Sequence, residues 1–194
     1  MSQTFVFFGI AGSGKGTQVK LLMDFLKQKD GTESLYVYPG SEYRKLIASG
    51  SYTGHLIQDS FNLGELQPDF ITTSLVGNIL INNLNDNLHI ICDGYPRSIF
   101  QSQVLDHMVS FYKRKNVKII NIKISKEEAE KRLFLRARSD DNNHGIENRI
   151  KDYFEKVLPA MEFFRGKAGY DILDINGEQS VESVHNDIIK MLGF

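Results

Sequence analysis

Near the amino end the chain reads Gly9-Ile10-Ala11-Gly12-Ser13-Gly14-Lys15-Gly16-Thr17, two glycines five apart and then a lysine, directly after the apolar run Phe5-Val6-Phe7-Phe8. Glycines at such spacing let the backbone wrap until successive N–H groups converge on phosphate oxygens. A helix opening there adds partial positive charge, and Lys15 is long enough to reach the β and γ phosphates. The chemistry this implies is the holding of a nucleoside triphosphate. Gly16 stands where a hydroxyl residue usually follows the lysine, so Thr17 is the hydroxyl to be expected near the phosphates and magnesium.

A second constellation begins where Leu88-His89-Ile90-Ile91-Cys92 runs into Asp93. A carboxylate at the carboxyl edge of a strand stands where ligands bind in open α/β sheets, and Asp93 suits hydrated Mg²⁺, which takes few protein carboxylates. Gly94-Tyr95-Pro96-Arg97 follows as a stiff turn that aims an arginine over the same edge. Further along come Arg132, Arg136, Arg138 and Arg149, with Asp140 and Asp141 among them. Arg132 and Arg136 are four apart and share one face if 126–137 is helical. They form either a phosphate clamp or a charged exposed face paired with Glu128 and Glu130. Planar guanidinium groups suit the equatorial oxygens of a phosphoryl group in flight.

These residues need a frame, and the sequence supplies one. Short β-rich runs recur at 4–8, 34–38, 88–92, 117–124 and 170–175, separated by helix-like segments at 15–29, 69–84, 98–115, 126–137, 142–165 and 180–192. Ser125 opens a capping box with Glu128, and Ser180 precedes an amphipathic run. Alternation of this kind predicts a three-layer α/β/α fold with a five-stranded parallel sheet. Segment 39–68 interrupts it with two short helical stretches and no strand, and reads as a helical insertion above the sheet. With 194 residues the chain fits one domain.

Composition excludes several classes. The balance of 23 Lys plus Arg against 24 Asp plus Glu gives no sign of a nucleic-acid partner or an acidic membrane surface. One cysteine, Cys92, rules out an internal disulfide framework and a Cys-rich zinc site, and a reducing cytoplasm is the expected compartment. No stretch reaches the roughly 20 apolar residues of a membrane helix. The five histidines lack metal-ligand spacing, although His144 lies near the expected site. Tyr38 and Tyr43 flank the insertion and are expected to pack in its core.

Taken together these residues resemble the adenylate kinase family and the wider nucleoside monophosphate kinases, colinearly along nearly the whole chain. Gly9 to Thr17 with Gln18 is similar to that family's phosphate loop, which also carries glycine after the lysine. Asp93-Gly94-Tyr95-Pro96-Arg97-Ser98 with Gln101 resembles its Asp-Gly-Phe-Pro-Arg signature and the glutamine that reads the adenine of the monophosphate. The resemblance implies that Gly12, Ser13, Gly14, Lys15, Gly16, Thr17 and Arg132 bind ATP with its Mg²⁺, with Arg136 at the phosphates and Gln179 near the donor base. It implies that Pro39, Gly40, Arg44, Arg97, Arg138 and Arg149 hold AMP or bridge both nucleotides, while Glu65, Leu66, Gln67, Gly94 and Gln101 meet the acceptor base. Lys15, Arg97, Arg132, Arg138 and Arg149 would then be catalytic, and Asp93 would hold magnesium through water. Two differences stand out. Pro39-Gly40-Ser41 replaces the family's Thr-Gly-Asp, and only Ala137 stands where the family inserts a lid, leaving 137–145 as a vestige. UMP, CMP or dTMP as acceptor, or a nucleotide-binding switch or hydrolase, remain the alternatives, and the protein is expected to be a monomer or a homo-oligomer.

Overall fold

A computed structural model describes residues 2–136 and 143–194. Five strands, β1 (Thr4–Phe8), β2 (Ser34–Val37), β3 (His89–Asp93), β4 (Val117–Lys123) and β5 (Tyr170–Asn176), form one parallel sheet in the order β2-β3-β1-β4-β5. β1 pairs with β3 so that Phe7 lies opposite Asp93, and with β4 so that Phe8 lies opposite Asn121. The carboxyl ends of the central strands therefore meet at one edge, and the chain leaves that edge from β1 into the glycine-rich loop and from β3 into Gly94.

Side chains alternate across a strand, and both faces here are apolar, as a doubly covered parallel sheet requires. Phe5, Phe7, Ile91, Ile120 and Ile122 pack against Val19, Leu22 and Leu26 of α1 (Lys15–Asp30) and Val184 and Ile188 of α9 (Val181–Leu192). Val6, Phe8, Cys92 and Ile119 turn to the opposite layer, built from α4 (Asp69–Asn83), α5 (Ile99–Phe111) and α8 (Leu158–Glu162). Cys92 is among them, its thiol pushed up to about 12 by burial, so it is an inert core group. Among the described residues no helix is long and apolar enough to cross a membrane.

Helices α2 (Pro39–Ala48) and α3 (Tyr52–Asn62) fill the break between β2 and α4. They share a small core with α4, in which Tyr43, Ile57 and Ile71 are buried and Leu46, Phe61 and Leu75 pack against them. Tyr43 ends in a hydrogen bond with the Thr72 hydroxyl at 2.6 Å, which satisfies its buried phenol. The expectation that Tyr43 packs in a core therefore holds, whereas Tyr38 remains partly open to the cleft.

Two helices differ from the periodicity. The run expected over 142–165 is divided into α7 (Asn143–Asp152), a π-helical turn (Tyr153–Val157) and α8. Pro159 explains this: it donates no N–H and its ring crowds the carbonyl four residues back, so the turn before it widens, with Leu158 N–H reaching the Tyr153 carbonyl. The helix expected to reach residue 115 ends at Phe111, where Lys113 and Asn116 take φ of 53° and 54°. α6 (Lys126–Arg136) lies within the expected helical run, and its Ser125 cap accepts from Glu128 N–H.

Candidate active site

The carboxyl edge of the sheet opens into a cleft of about 860 Å³, bounded by the glycine-rich loop on one side and α2, α3 and the Glu65–Gln67 loop on the other. Its wall includes Gly12, Gly14, Lys15, Gly16, Thr17, Pro39, Gly40, Arg44, Glu65, Leu66, Gln67, Asp93, Gly94, Arg97, Gln101, Arg132 and Arg149. Residues expected on two separate nucleotides thus face one space.

The loop passes closely over α6. At Gly12 φ is 87°, and a Cβ there would stand 2.9 Å from the Ala129 carbonyl oxygen, so a side chain is excluded both by conformation and by space. α1 begins straight after, with Thr17 and Gln18 N–H both donating to the Gly14 carbonyl. Lys15 Nζ donates to the Gly9 and Ile10 carbonyls at 2.6 and 3.0 Å and to Ser13 Oγ at 3.4 Å. Its ammonium is therefore held at the loop itself. Ser13 is buried beneath the loop.

Asp93 closes the floor between β1 and β3, 7% exposed. Its Oδ2 lies 3.7 Å from the point a Gly16 Cβ would occupy, which puts the carboxylate beside the first turn of α1. Tyr36 donates its phenol hydrogen to the same oxygen at 2.8 Å, and its ring stacks on Tyr38 at 5.6 Å and 9°. The Tyr36 contact was not anticipated from sequence: Tyr36 is the penultimate residue of β2, and only the pairing of β2 with β3 brings it to Asp93. Next, Gly94 at φ 71° lets the Arg97 guanidinium fold back: Nε donates to the Gly94 carbonyl at 2.8 Å, and a Cβ on Gly94 would meet the guanidinium at 2.6 Å. Tyr95–Pro96 is a cis peptide. Arg97 is partly open to the cleft. Surrounding protein nevertheless pulls its guanidinium below the ordinary value by desolvation, while the Asp93 carboxylate opposes that shift and Arg149 adds to it.

The other arginines come from separate elements. Arg44 on α2 donates to the Gly40 carbonyl and the Tyr38 hydroxyl at 3.0 and 3.3 Å, and sits 5.9 and 5.8 Å from the Tyr38 and Phe61 ring centres. Arg132 on α6 donates to Glu128 Oε1 at 2.7 Å and to the Gly177 carbonyl at 3.0 Å, and its presence holds the Glu128 carboxyl below the ordinary range. Arg132 thus pairs with Glu128, as the charged-face reading has it, and also lines the cleft. Arg149 on α7 reaches the Gly64 turn, where a Gly64 Cβ would meet its Nε at 3.1 Å. Arg138, Asp140 and Asp141 lie outside the described residues, as do the Arg136 side chain and positions 137–142 of the shortened lid. His144, on the first turn of α7, is exposed near Glu147.

On the insertion side of the cleft Leu66 N–H donates to Asp152 Oδ2 at 3.3 Å, so Asp152, one turn beyond Arg149, secures the loop expected to meet the base. Asp152 was missed because a buried aspartate on a helix face has no local sequence mark. Gln101 is buried and lines the cleft wall. Gln179 does not reach the cleft wall: it is exposed, donating to the Asn176 carbonyl and Asp187. The backbone beside it stays close through the Gly177 carbonyl on Arg132.

A family model described as Adenylate kinase matches residues 7–169, from the end of β1 to the start of β5. An adenylate kinase of Campylobacter concisus is 33% identical over 195 residues, 99% of this chain and 98% of its own. One from Campylobacter curvus is 32% identical over 196 residues, with the same coverage, and one from Azobacteroides pseudotrichonymphae 30% over 192 residues, 95% of this chain and 94% of its own. The match spans the phosphate loop, the Asp93–Arg97 turn and the arginines of the far wall in one colinear frame, and on that ground the chain belongs to the adenylate kinase family of nucleoside monophosphate kinases.

Proposed function

We propose that the protein transfers the γ-phosphate of ATP to AMP, reversibly, giving two ADP. One observation carries this reading: Lys15 of the phosphate loop and Arg44, Arg97, Arg132 and Arg149 from four other elements all line a single cleft. A triphosphate on the loop then points its γ-phosphoryl group at the arginines that hold a second phosphate. A switch protein has no use for that second set.

In this account the loop amides from Gly12 to Thr17 and the Lys15 ammonium hold the β and γ phosphates, with Arg132 and Arg136 against their outer oxygens. Arg44, Arg97, Arg138 and Arg149 fix the acceptor phosphate for in-line attack, where orientation and charge stabilisation supply most of the catalysis. No covalent enzyme intermediate is needed. Mg²⁺ carried with ATP supplies charge neutralisation at the phosphate oxygens. Asp93 suits it: a buried carboxylate, steadied by Tyr36 and beside Gly16 in the first turn of α1, is the one-carboxylate setting hydrated Mg²⁺ accepts. Residues 39–68 serve as the acceptor-binding insertion, 137–145 as a much reduced lid, and the backbone near Gln179 as the donor-base contact. A cytoplasmic setting accords with the single buried thiol.

The acceptor is tested by a coupled assay with ATP across the nucleoside monophosphates. AMP is expected to exceed UMP, CMP and dTMP in kcat/KM by at least about a hundredfold, since the wrong base leaves polar groups of the site unpaired. A pyrimidine preferred over AMP would move the acceptor assignment, and ATP loss independent of every acceptor would favour the hydrolase reading.

A further inference from the structure

Gln101 is held from two sides. Its Oε1 accepts the Arg97 backbone N–H at 2.8 Å, and its Nε2 donates to Asp69 Oδ1 at 2.7 Å. Asp69, the first residue of α4, also accepts from Ser98 Oγ at 2.9 Å, and Ser98 caps α5 by accepting Gln101 N–H at 3.1 Å. A carboxylate offers acceptors and a backbone N–H is only a donor, so these partners admit one orientation of the carboxamide: oxygen toward Arg97, nitrogen toward Asp69. The reversed amide would set Nε2 against an N–H and Oε1 against a carboxylate. Gln101 is 3% exposed, so a hydrogen bond lost at that depth is not replaced by water.

We infer that Asp69 is a positioning residue for acceptor specificity, acting by fixing the direction of the Gln101 carboxamide at the cleft wall. The inference rests on the reading of AMP as acceptor and of Gln101 as its base contact. Each carboxamide atom keeps one further valence, a lone pair on Oε1 and an N–H on Nε2. A fixed amide therefore presents acceptor and donor in a set order. Adenine, with a 6-amino group beside an acceptor ring nitrogen, answers that order. Hypoxanthine, with a 6-oxo group beside N1–H, presents the reverse. With Asp69 in place the amide cannot turn over to suit the second base; without it, only the Arg97 N–H opposes the turn.

The experiment measures kcat/KM for AMP and for IMP, with ATP as donor, in the wild type, Asp69→Ala and Asp69→Asn. Wild-type protein is expected to favour AMP by about a hundredfold or more. In Asp69→Ala the AMP-to-IMP ratio falls about tenfold, mostly through the KM values, while the KM for ATP changes less than about twofold. Asp69→Asn, whose side-chain amide can accept as Asp69 does but can also turn to donate, gives a ratio between those of Ala and the wild type. Asp69→Leu, close in size and without an acceptor, replaces the alanine variant should that one not fold. A folded Ala or Leu variant with the wild-type ratio overturns the inference. A wild type indifferent to AMP and IMP would instead overturn the AMP reading itself, so the two failures are distinguishable.

Discussion

Replacing Lys15 by methionine is expected to lower kcat about a thousandfold with the fold intact. Methionine keeps nearly the same length and apolar stem and removes only the ammonium. That ammonium rests on the Gly9 and Ile10 carbonyls and Ser13 Oγ, so it already stands at the mouth of the loop. A pre-placed donor of this kind is worth most at the oxygens where charge builds up, and losing one commonly costs 10²–10³ in rate, about 2.7–4 kcal/mol. The loop does not depend on it for its shape. Gly12 is packed against Ala129, and the start of α1 is closed by its own backbone bonds to Gly14. Each lost side-chain bond is worth about 1 kcal/mol, so the far-ultraviolet circular dichroism and the cooperativity of melting should be retained. Near-normal turnover in a folded Lys15→Met protein would remove the loop from the catalytic account.

The second large effect is expected for Arg97→Ala, at about a thousandfold in kcat/KM for the monophosphate with little change in the KM for ATP. Arg97 lines the cleft and is tied by Nε to the Gly94 carbonyl. Desolvation raises the strength of any phosphate contact it makes, and Asp93 helps keep the guanidinium charged where burial works against it. Arg97→Lys should recover less than about a tenth of the lost activity, because a point charge cannot reproduce a bidentate fork. Steady-state kinetics varying each nucleotide in turn decides the matter. A defect confined to ATP would place Arg97 on the donor.

Much of this arrangement is legible in the sequence. The phosphate loop is local: a strand, glycines and a lysine within a dozen residues fix both its shape and its chemistry. Asp93 to Arg97 is local too, and it lands on the predicted sheet edge. Strand edges shift by a residue or so, and Asp93 is the last residue of β3 rather than the first beyond it. What escapes sequence reading is contact across the fold. Tyr36 meets Asp93 because β2 lies beside β3, Asp152 meets Leu66 because α7 crosses the insertion, and Asp69 meets Gln101 because α4 starts beside the Asp93–Arg97 turn. Each pair is separated by dozens of residues, and neither partner carries a spacing signal. Periodicity also overran Pro159, since the apolar stripe continues through a turn that one missing N–H forces to widen.

The central claim is that one cleft holds two nucleotides and moves a phosphoryl group between them. The most direct test is to give the protein ADP and Mg²⁺ alone and follow the products by ³¹P nuclear magnetic resonance. ADP should disproportionate into ATP and AMP in equal amounts, reach an equilibrium short of completion and release no inorganic phosphate at a comparable rate. Stable ADP, or inorganic phosphate appearing without ATP, would contradict the account.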